Sequence, residues 1–467
     1  KWMISALLTT AIVALPVLSV IFLAFFPEEN IWPHLIETTL PRYLTTTLKL
    51  MIGVGALTLV IGLASAWAVT MCEFPGRKFF EWAMLLPFAV PAYVIAYVYT
   101  SLMDYAGPVQ GTLRDLFGWT SAADYWFPEI RSLEGATLMI GLVLYPYVYL
   151  LARAAFLEQS PSLFAVSRSL GHSALSTFFR VVLPIARPAV AVGLSLVLME
   201  TLNDFGTVYF FAVQTLTAGL FHTWLNLGIL GGAAQIATTM LIFVVILVTL
   251  ERYSRRRQQQ FAARDNRDPI QRFTMSFPRQ MICLAVCALP VLFGFVIPGA
   301  TLGLYAWEYF GESWNPDFVR NTFNSLFLSS TAALTTLLIG VTLAYSRRLH
   351  NTRKMQVLMR LSSLGYAMPG AVLAVGVIVP LAGFDNWLDS LMRDVFGIST
   401  GLLLSGTAFA LVFAYTVRFL AVSAGSVESA LQKITPSMDM ASRSLGHSPG
   451  NTLVRVHLPM LRGTLVT

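Results

Sequence analysis

Apolar runs of about twenty residues alternate with short polar loops along this chain, and a run of that length crosses the hydrocarbon core of a bilayer as a helix. The pattern predicts spans near 2–26, 44–71, 80–103, 135–157, 189–213 and 229–250. A second series is predicted near 281–306, 322–345, 356–380 and 401–424. The run 2–26 is too long for a signal-peptide core and lacks a small-residue cleavage site, so it reads as a retained helix. The stretch 251–280 is polar and aperiodic and reads as a linker. The expected organisation is a first unit over 1–250, a basic linker over 251–280 and a second unit over 281–467.

The polar pattern repeats. Ser160–Pro188 and Thr435–Gly463 align without a gap at one constant offset, and Ser-Arg-Ser-Leu-Gly-His is identical at 167–172 and 442–447. Thr177, Arg180, Leu183, Pro184 and Arg187 recur as Thr452, Arg455, Leu458, Pro459 and Arg462. Upstream, Leu57–Gly62 aligns with Thr335–Gly340 and Pro91 with Pro369, at a slightly longer offset that implies a small insertion. Such self-similarity marks a tandem repeat. An even number of spans per unit makes the repeat parallel. The first block is followed by two spans, so two more are expected after the second, beyond Thr467.

Each block predicts one short helix. Ser160 and Thr435 are N-cap residues followed by Pro161 and Pro436 at the first helical position, where the missing N–H costs nothing. Gly171 and Gly446 stop the helix by taking the left-handed C′ conformation. Leu163, Val166 and Leu170 share one face, as do Met438, Ala441 and Leu445. A helix of about ten residues is marginal in water. It needs a surface to lie against, either its own domain or a partner. His172 and His447, just past the stop, fit a partner contact or helix capping.

Composition agrees with a membrane protein: of 467 residues, 56% are hydrophobic and 12% charged, with mean hydropathy +0.67, where soluble chains carry about 25% charged residues. The net charge of +7 lies in short loops and calls for no nucleic acid. With the N-terminus inside, 251–280, 346–354 and both blocks fall on the cytoplasmic side. The outer loops 27–42, 104–134, 307–320 and 382–399 then hold 14 Asp/Glu against 5 Lys/Arg, the sense of the positive-inside rule. Cys72, Cys283 and Cys287 give no disulfide framework. Cys283 and Cys287, four apart in an apolar span, read as small buried residues rather than a metal pair.

The fifth span carries Glu200, Asn203 and Asp204, with Tyr209 beyond. Glu200 and Asp204, four apart, are expected on one helix face near mid-bilayer. An ionisable residue there costs about 2.5–3.5 kcal/mol and marks a candidate pathway. An interhelical hydrogen bond is the competing reading. Carboxylate and phenol oxygens suit hard cations. Tyr145, Tyr147 and Tyr149 are further candidates, or interface anchors. No phosphate-binding G-x-x-x-x-G-K-[ST] is present, so ATP hydrolysis is not expected in this chain.

The two blocks resemble the motif of ABC importer membrane subunits, Glu-Ala-Ala, three residues, Gly, nine residues, Ile-x-Leu-Pro. Here Gly171 is followed after nine residues by Val181-Val182-Leu183-Pro184, and Gly446 by Val456-His457-Leu458-Pro459. The departure is Ala165 and Met440 at the Glu position, with Ser167 and Ser442 at the second Ala. Tyr145–Glu158, Leu198–Thr207 and Gln214–Gly219 with Trp224 are similar to fused permeases of iron(III) importers; thiamine and phosphonate permeases share the architecture.

The resemblance implies an all-α polytopic membrane protein, a tandem parallel repeat of six-helix units of the type I ABC importer permease fold. It implies a bacterial inner-membrane location and a periplasmic iron(III)-binding protein as partner. Two copies of an ATP-binding subunit would carry ATP and Mg2+, with no cofactor in this chain. They would couple through Ser167, Arg168, Gly171, His172, Ser442, Arg443, Gly446 and His447. No metal ligand set is fixed. A secondary transporter of the major facilitator type is the alternative, but it expects no capped helix with Gly and Leu-Pro at fixed spacing.

Overall fold

The computed structural model describes residues 2–27, 30–159, 163, 166–167, 169–256, 272–362, 364–432 and 434–463. Ser160, Pro161, Ala165, Arg168 and 257–271 of the basic linker lie outside them. The fold is all-α and polytopic. Among the described residues, nine helices are long and apolar enough to cross a membrane, and a bent pair makes a tenth. The expected ten spans are thus met in number, with three corrections in shape.

The third, expected over 80–103, is broken. Segments Arg77–Ala89 and Ala92–Phe117 meet at 89°. Pro91 begins the helix Ala92–Met103 in extended conformation, φ −60° and ψ 143°. Proline lacks an N–H and pushes its predecessor out of the helical region. The ninth, expected over 356–380, is divided likewise. An amphipathic helix Arg353–Ser362 comes first, and the long helix Gly370–Phe396 starts after Pro369, φ −53° and ψ 141°. The fifth, expected over 189–213, ends at Asn203.

The chain forms two compact units, and they are not the two halves of the sequence. One comprises 32–222 and 242–312; the other comprises 1–31, 223–241 and 313–467. The first helix of each half thus belongs to the unit built mainly from the other half. In the first unit, the Tyr99 hydroxyl donates to the Phe293 carbonyl at 2.8 Å, and the hydroxyls of Ser101 and Tyr305 are 2.6 Å apart. In the second, Trp2–Phe25 packs on Gly370–Phe396. Such long-range contacts tie each compact unit together.

Within the first unit, Leu40–Met71 packs along Leu133–Leu157. A Cβ on Gly62 would stand 2.7 Å from Val148 Cβ and 3.0 Å from Tyr149 N, so the backbones meet where only glycine fits. In the other unit, Pro316–Leu349 packs along Ala408–Gln432. There a Cβ on Gly340 would stand 2.9 Å from Ser423 Cβ and 3.1 Å from Ala424 N. Val148 and Tyr149 correspond to Ser423 and Ala424 at the same offset that relates the two blocks. Two-residue strands Cys72–Glu73 and Phe273–Thr274 pair in parallel at the end of the linker stretch.

Candidate functional site

Where both are described, the two polar blocks share the same features from the Gly stop onward. The second helix is Pro436–Ser444, with Thr435 at the N-cap and Pro436 at the first position. The Thr435 hydroxyl does not cap it and lies 2.9 Å from the Ser437 hydroxyl instead. At the other end, Gly446 takes φ +79°. Its N–H donates to the Arg443 carbonyl at 2.9 Å, and the His447 N–H donates to the Ser442 carbonyl at 3.1 Å. These are the paired bonds of a Schellman stop, which satisfy carbonyls that the helix leaves open. In the first block, Gly171 takes φ +78° and the His172 N–H donates to the Ser167 carbonyl at 3.1 Å. Both histidines therefore cap through their backbones. The His172 ring also lies 3.3 Å from the Ser176 hydroxyl.

A buried hydroxyl pair ties each short helix to the segment after it. Ser167 and Thr177 are 2.8 Å apart, and Ser442 and Thr452 are 2.8 Å apart. All four are buried. Each segment then widens into a π-helical turn, Phe178–Val182 and Leu453–His457, just before Leu-Pro. Pro184 and Pro459 cannot donate the next helical bond, and a proline ring crowds the carbonyl four residues back. A wider turn accommodates both effects.

Among the described residues, apolar side chains on one face of these helices are exposed. Leu170 is 70% exposed and Leu445 77%. Val166, Met438 and Met440 are exposed too. Arg443 is exposed, and Ser442 is buried.

The second block has a further anchor that sequence reasoning missed. Arg348 ends the helix Pro316–Leu349. Its Nε and Nη2 donate to Asp439 Oδ2 at 3.0 and 2.6 Å, and Nη2 also donates to the Ile434 carbonyl at 2.9 Å. His457 Nε2 lies 2.9 Å from Asp439 Oδ1, at ion-pair distance but without hydrogen-bond alignment. The Tyr345 ring meets the His457 ring edge-on at 5.4 Å. One signal was available: Val182, which the repeat aligns with His457, is apolar, so the second block alone places a titratable group there.

The predicted pathway residues are brought together only in part. Glu200 and Asn203 sit in the last turn of Leu183–Asn203, and both contact neighbours. Asp204 does not continue their face. Its backbone is extended, φ −65° and ψ 118°, and its carboxylate caps the next short helix, Gly206–Phe210. Oδ1 accepts from the N–H groups of Thr207 and Val208 at 3.0 and 3.2 Å, and Oδ2 from the Thr207 hydroxyl at 3.0 Å. A short side-chain acceptor before a helix start competes with helix continuation. Tyr209 lies on that next helix, 65% exposed, its ring 5.0 Å from that of Phe205. Ala212, nearby, holds φ +55°, the one positive φ outside glycine among the described residues. Tyr145 and Tyr149 are core residues, fully buried, and the Tyr149 hydroxyl donates to the Glu81 carbonyl at 3.1 Å. Tyr147 packs edge-on against Phe88 at 4.7 Å.

Two acids from the stretches expected as outer loops are also committed, and one of them, Asp385, lies within the helix Gly370–Phe396 rather than in a loop. Asp385 is 1% exposed and accepts from the N–H groups of Leu404 and Ser405 at 3.0 and 2.8 Å. Asp124 accepts from the N–H groups of Thr120 and Ser121, both at 2.8 Å, which hold its carboxyl below the usual range. Among the described residues, no group of three or more His, Cys, Asp or Glu is placed to hold a metal ion.

This fold defines an all-α, multi-pass membrane protein. Residues 58–260 match the family described as binding-protein-dependent transport system inner membrane component. The chain is 24% identical over 434 residues to the Fe(3+)-transport system permease protein FbpB 2 of Haemophilus influenzae, spanning 91% of this chain and 77% of that one. It is 22% identical over 502 residues to the ferric transport system permease protein FbpB of Actinobacillus pleuropneumoniae, spanning 100% and 69%. A crystal structure of a bacterial alginate ABC transporter, in complex with an alginate pentasaccharide-bound periplasmic protein, resembles 50% of this chain and 85% of its own, at 17% identity and TM-score 0.39. The family match thus lies within 58–260, while relatives named as ferric permeases align with most of the chain.

Proposed function

We propose that this chain is the permease subunit of an ATP-driven importer of ferric iron, with its N-terminus in the cytoplasm. A periplasmic binding protein delivers the iron. Two ATP-binding subunits, which hold ATP and Mg2+, dock one against each short helix. The observation that carries this reading is the recurrence of one local design in both blocks. Each has a Gly stop at φ +78° or +79°, a buried Ser–Thr pair at 2.8 Å and an exposed apolar face. Exposed leucine and methionine beside a rigidly terminated helix suit insertion into a cleft on a soluble partner. The ferric assignment draws on the names of the relatives. Glu200, with Asn203 beside it, is the oxygen-bearing candidate for the pathway, and hard cations take such ligands.

In this mechanism, ATP-driven closure of the partner subunits moves the two short helices, and the stop glycines transmit that motion without fraying. Arg168 and Arg443 would supply the polar contacts that the family's Glu makes elsewhere, since Ala165 and Met440 occupy its place. The test is uptake of labelled ferric iron in cells lacking the gene, with and without the full-length chain restored. Uptake that returns only with the chain supports the ferric reading; unchanged uptake refutes it. Gly171→Asp and Gly446→Asp test the docking reading separately. Normal uptake with normal copurification of the ATP-binding subunit in both variants would refute that reading.

A further inference from the structure

Within the first unit, a cavity of about 740 Å³ opens between the end of Leu40–Met71, the start of Phe277–Val291 and the segment 173–183 that follows the first short helix. Leu63, Trp67, Phe178, Phe179 and Ile282 line it, with Arg279 at the linker-side end. From Leu59 to Cys72, at 1.5 Å per residue, it runs about 20 Å along the helix. One leaflet of hydrocarbon is about 15 Å deep, so the groove matches an acyl chain with room for a headgroup. Among the described residues, Val60, Phe179 and Ile282 in its lining are exposed and make an apolar rim. Arg279 is exposed and forms no ion pair among the described residues. Arg272, at the same end, is engaged by Glu73 at 4.0 Å.

We propose that this groove is a binding site for one anionic glycerophospholipid, its acyl chain along Trp67 and Phe178 and its phosphate on Arg279. An apolar trough alone accepts any lipid tail. The guanidinium at its end selects for a headgroup of net negative charge, as basic pockets between spanning helices do. Because segment 173–183 forms one wall, the bound lipid would brace the chain just after the Gly171 stop. The site needs only a membrane and does not depend on what is transported.

The test is native mass spectrometry of the purified, delipidated chain titrated with phosphatidylglycerol and, separately, phosphatidylethanolamine. Phosphatidylglycerol should bind at least fivefold more tightly. Arg279→Gln should abolish that preference, Arg279→Lys should keep most of it, and Val60→Trp, which fills the trough, should weaken both lipids. The Lys variant separates a charge effect from misfolding. Equal binding of the two lipids by the unaltered chain, a preference that survives Arg279→Gln, or no lipid bound because a protein segment fills the trough would each overturn the proposal.

Discussion

The hydroxyls of Ser442 and Thr452 meet at 2.8 Å in a buried site, and Ser167 and Thr177 meet at the same distance in the first block. Each pair closes the loop between a short helix and the span that follows. A buried hydroxyl deprived of its partner costs about 1–3 kcal/mol. Thr452 also donates to the Ser448 carbonyl at 3.1 Å, so losing Ser442 leaves it one bond. Ser442→Ala is therefore expected at the lower end of that range, and Thr452→Val, which orphans Ser442, at the upper end. Thermal unfolding of both single variants and the double variant checks this; additive losses would show the pair to be uncoupled.

The stop glycines make an ordered prediction. At φ +79°, a residue with a Cβ pays about 1–2 kcal/mol, while asparagine is tolerated better. No atom lies within 4 Å of a Cβ built on Gly446 or Gly171, so the penalty is conformational rather than steric. Gly446→Asn should lower stability less than Gly446→Ala, and Gly446→Val most. ATP hydrolysis measured alongside uptake should show coupling failing in the same order. A Val variant as well coupled as the Asn variant would contradict a backbone role.

The second block helix and both Gly stops were legible because Pro436, Gly171 and Gly446 are local signals, whereas the Thr435 hydroxyl turned out not to cap. The same reasoning failed where structure turns on one proline or one carboxylate. A hydropathy window runs through Pro91 because the flanking residues are apolar, yet the helix turns by 89° there. The i, i+4 spacing of Glu200 and Asp204 puts them on one face only if the helix continues. Asp204 ends it by offering its carboxylate to Thr207 and Val208. The compact units were illegible for a different reason. They are tied together by contacts such as Tyr99 to Phe293, 194 residues apart, which no local pattern encodes. Arg348, Asp439 and His457 were missed likewise, being far apart in sequence and joined only by packing.

Asp204 and Glu200 should now separate by substitution. Asp204→Asn keeps an acceptor for the Thr207 and Val208 N–H groups and should retain most uptake. Asp204→Ala removes the cap, at about 0.5–2 kcal/mol, and should lower both thermal stability and uptake. Glu200 lies before the break, and Glu200→Gln keeps a hydrogen-bonding side chain of the same size, so it should reduce uptake with little change in unfolding temperature. Uptake and melting measured together distinguish the roles. Equal loss of uptake in Asp204→Asn and Glu200→Gln, with unchanged stability, would return Asp204 to the pathway.

The second block should also respond to pH where the first does not. His457 is buried, and that burial lowers its pKa below the ordinary value near 6.5. The Asp439 carboxylate opposes the shift and the Arg348 guanidinium reinforces it. Tyr345 faces the ring from the helix Pro316–Leu349. The native state therefore binds fewer protons at this position than the unfolded state once pH falls toward 6.5. Stability contributed by the neutral ring is complete well above 6.5 and is lost as pH falls through that value toward the lowered one. The unfolding temperature should decline between pH 7.5 and 5.5, and His457→Gln should flatten the decline relative to the unaltered chain. Val182 holds the corresponding place in the first block, so no equivalent titration arises there. If the pH profile of His457→Gln superimposes on that of the unaltered chain, the proton is taken up elsewhere and Asp439 is held by Arg348 alone.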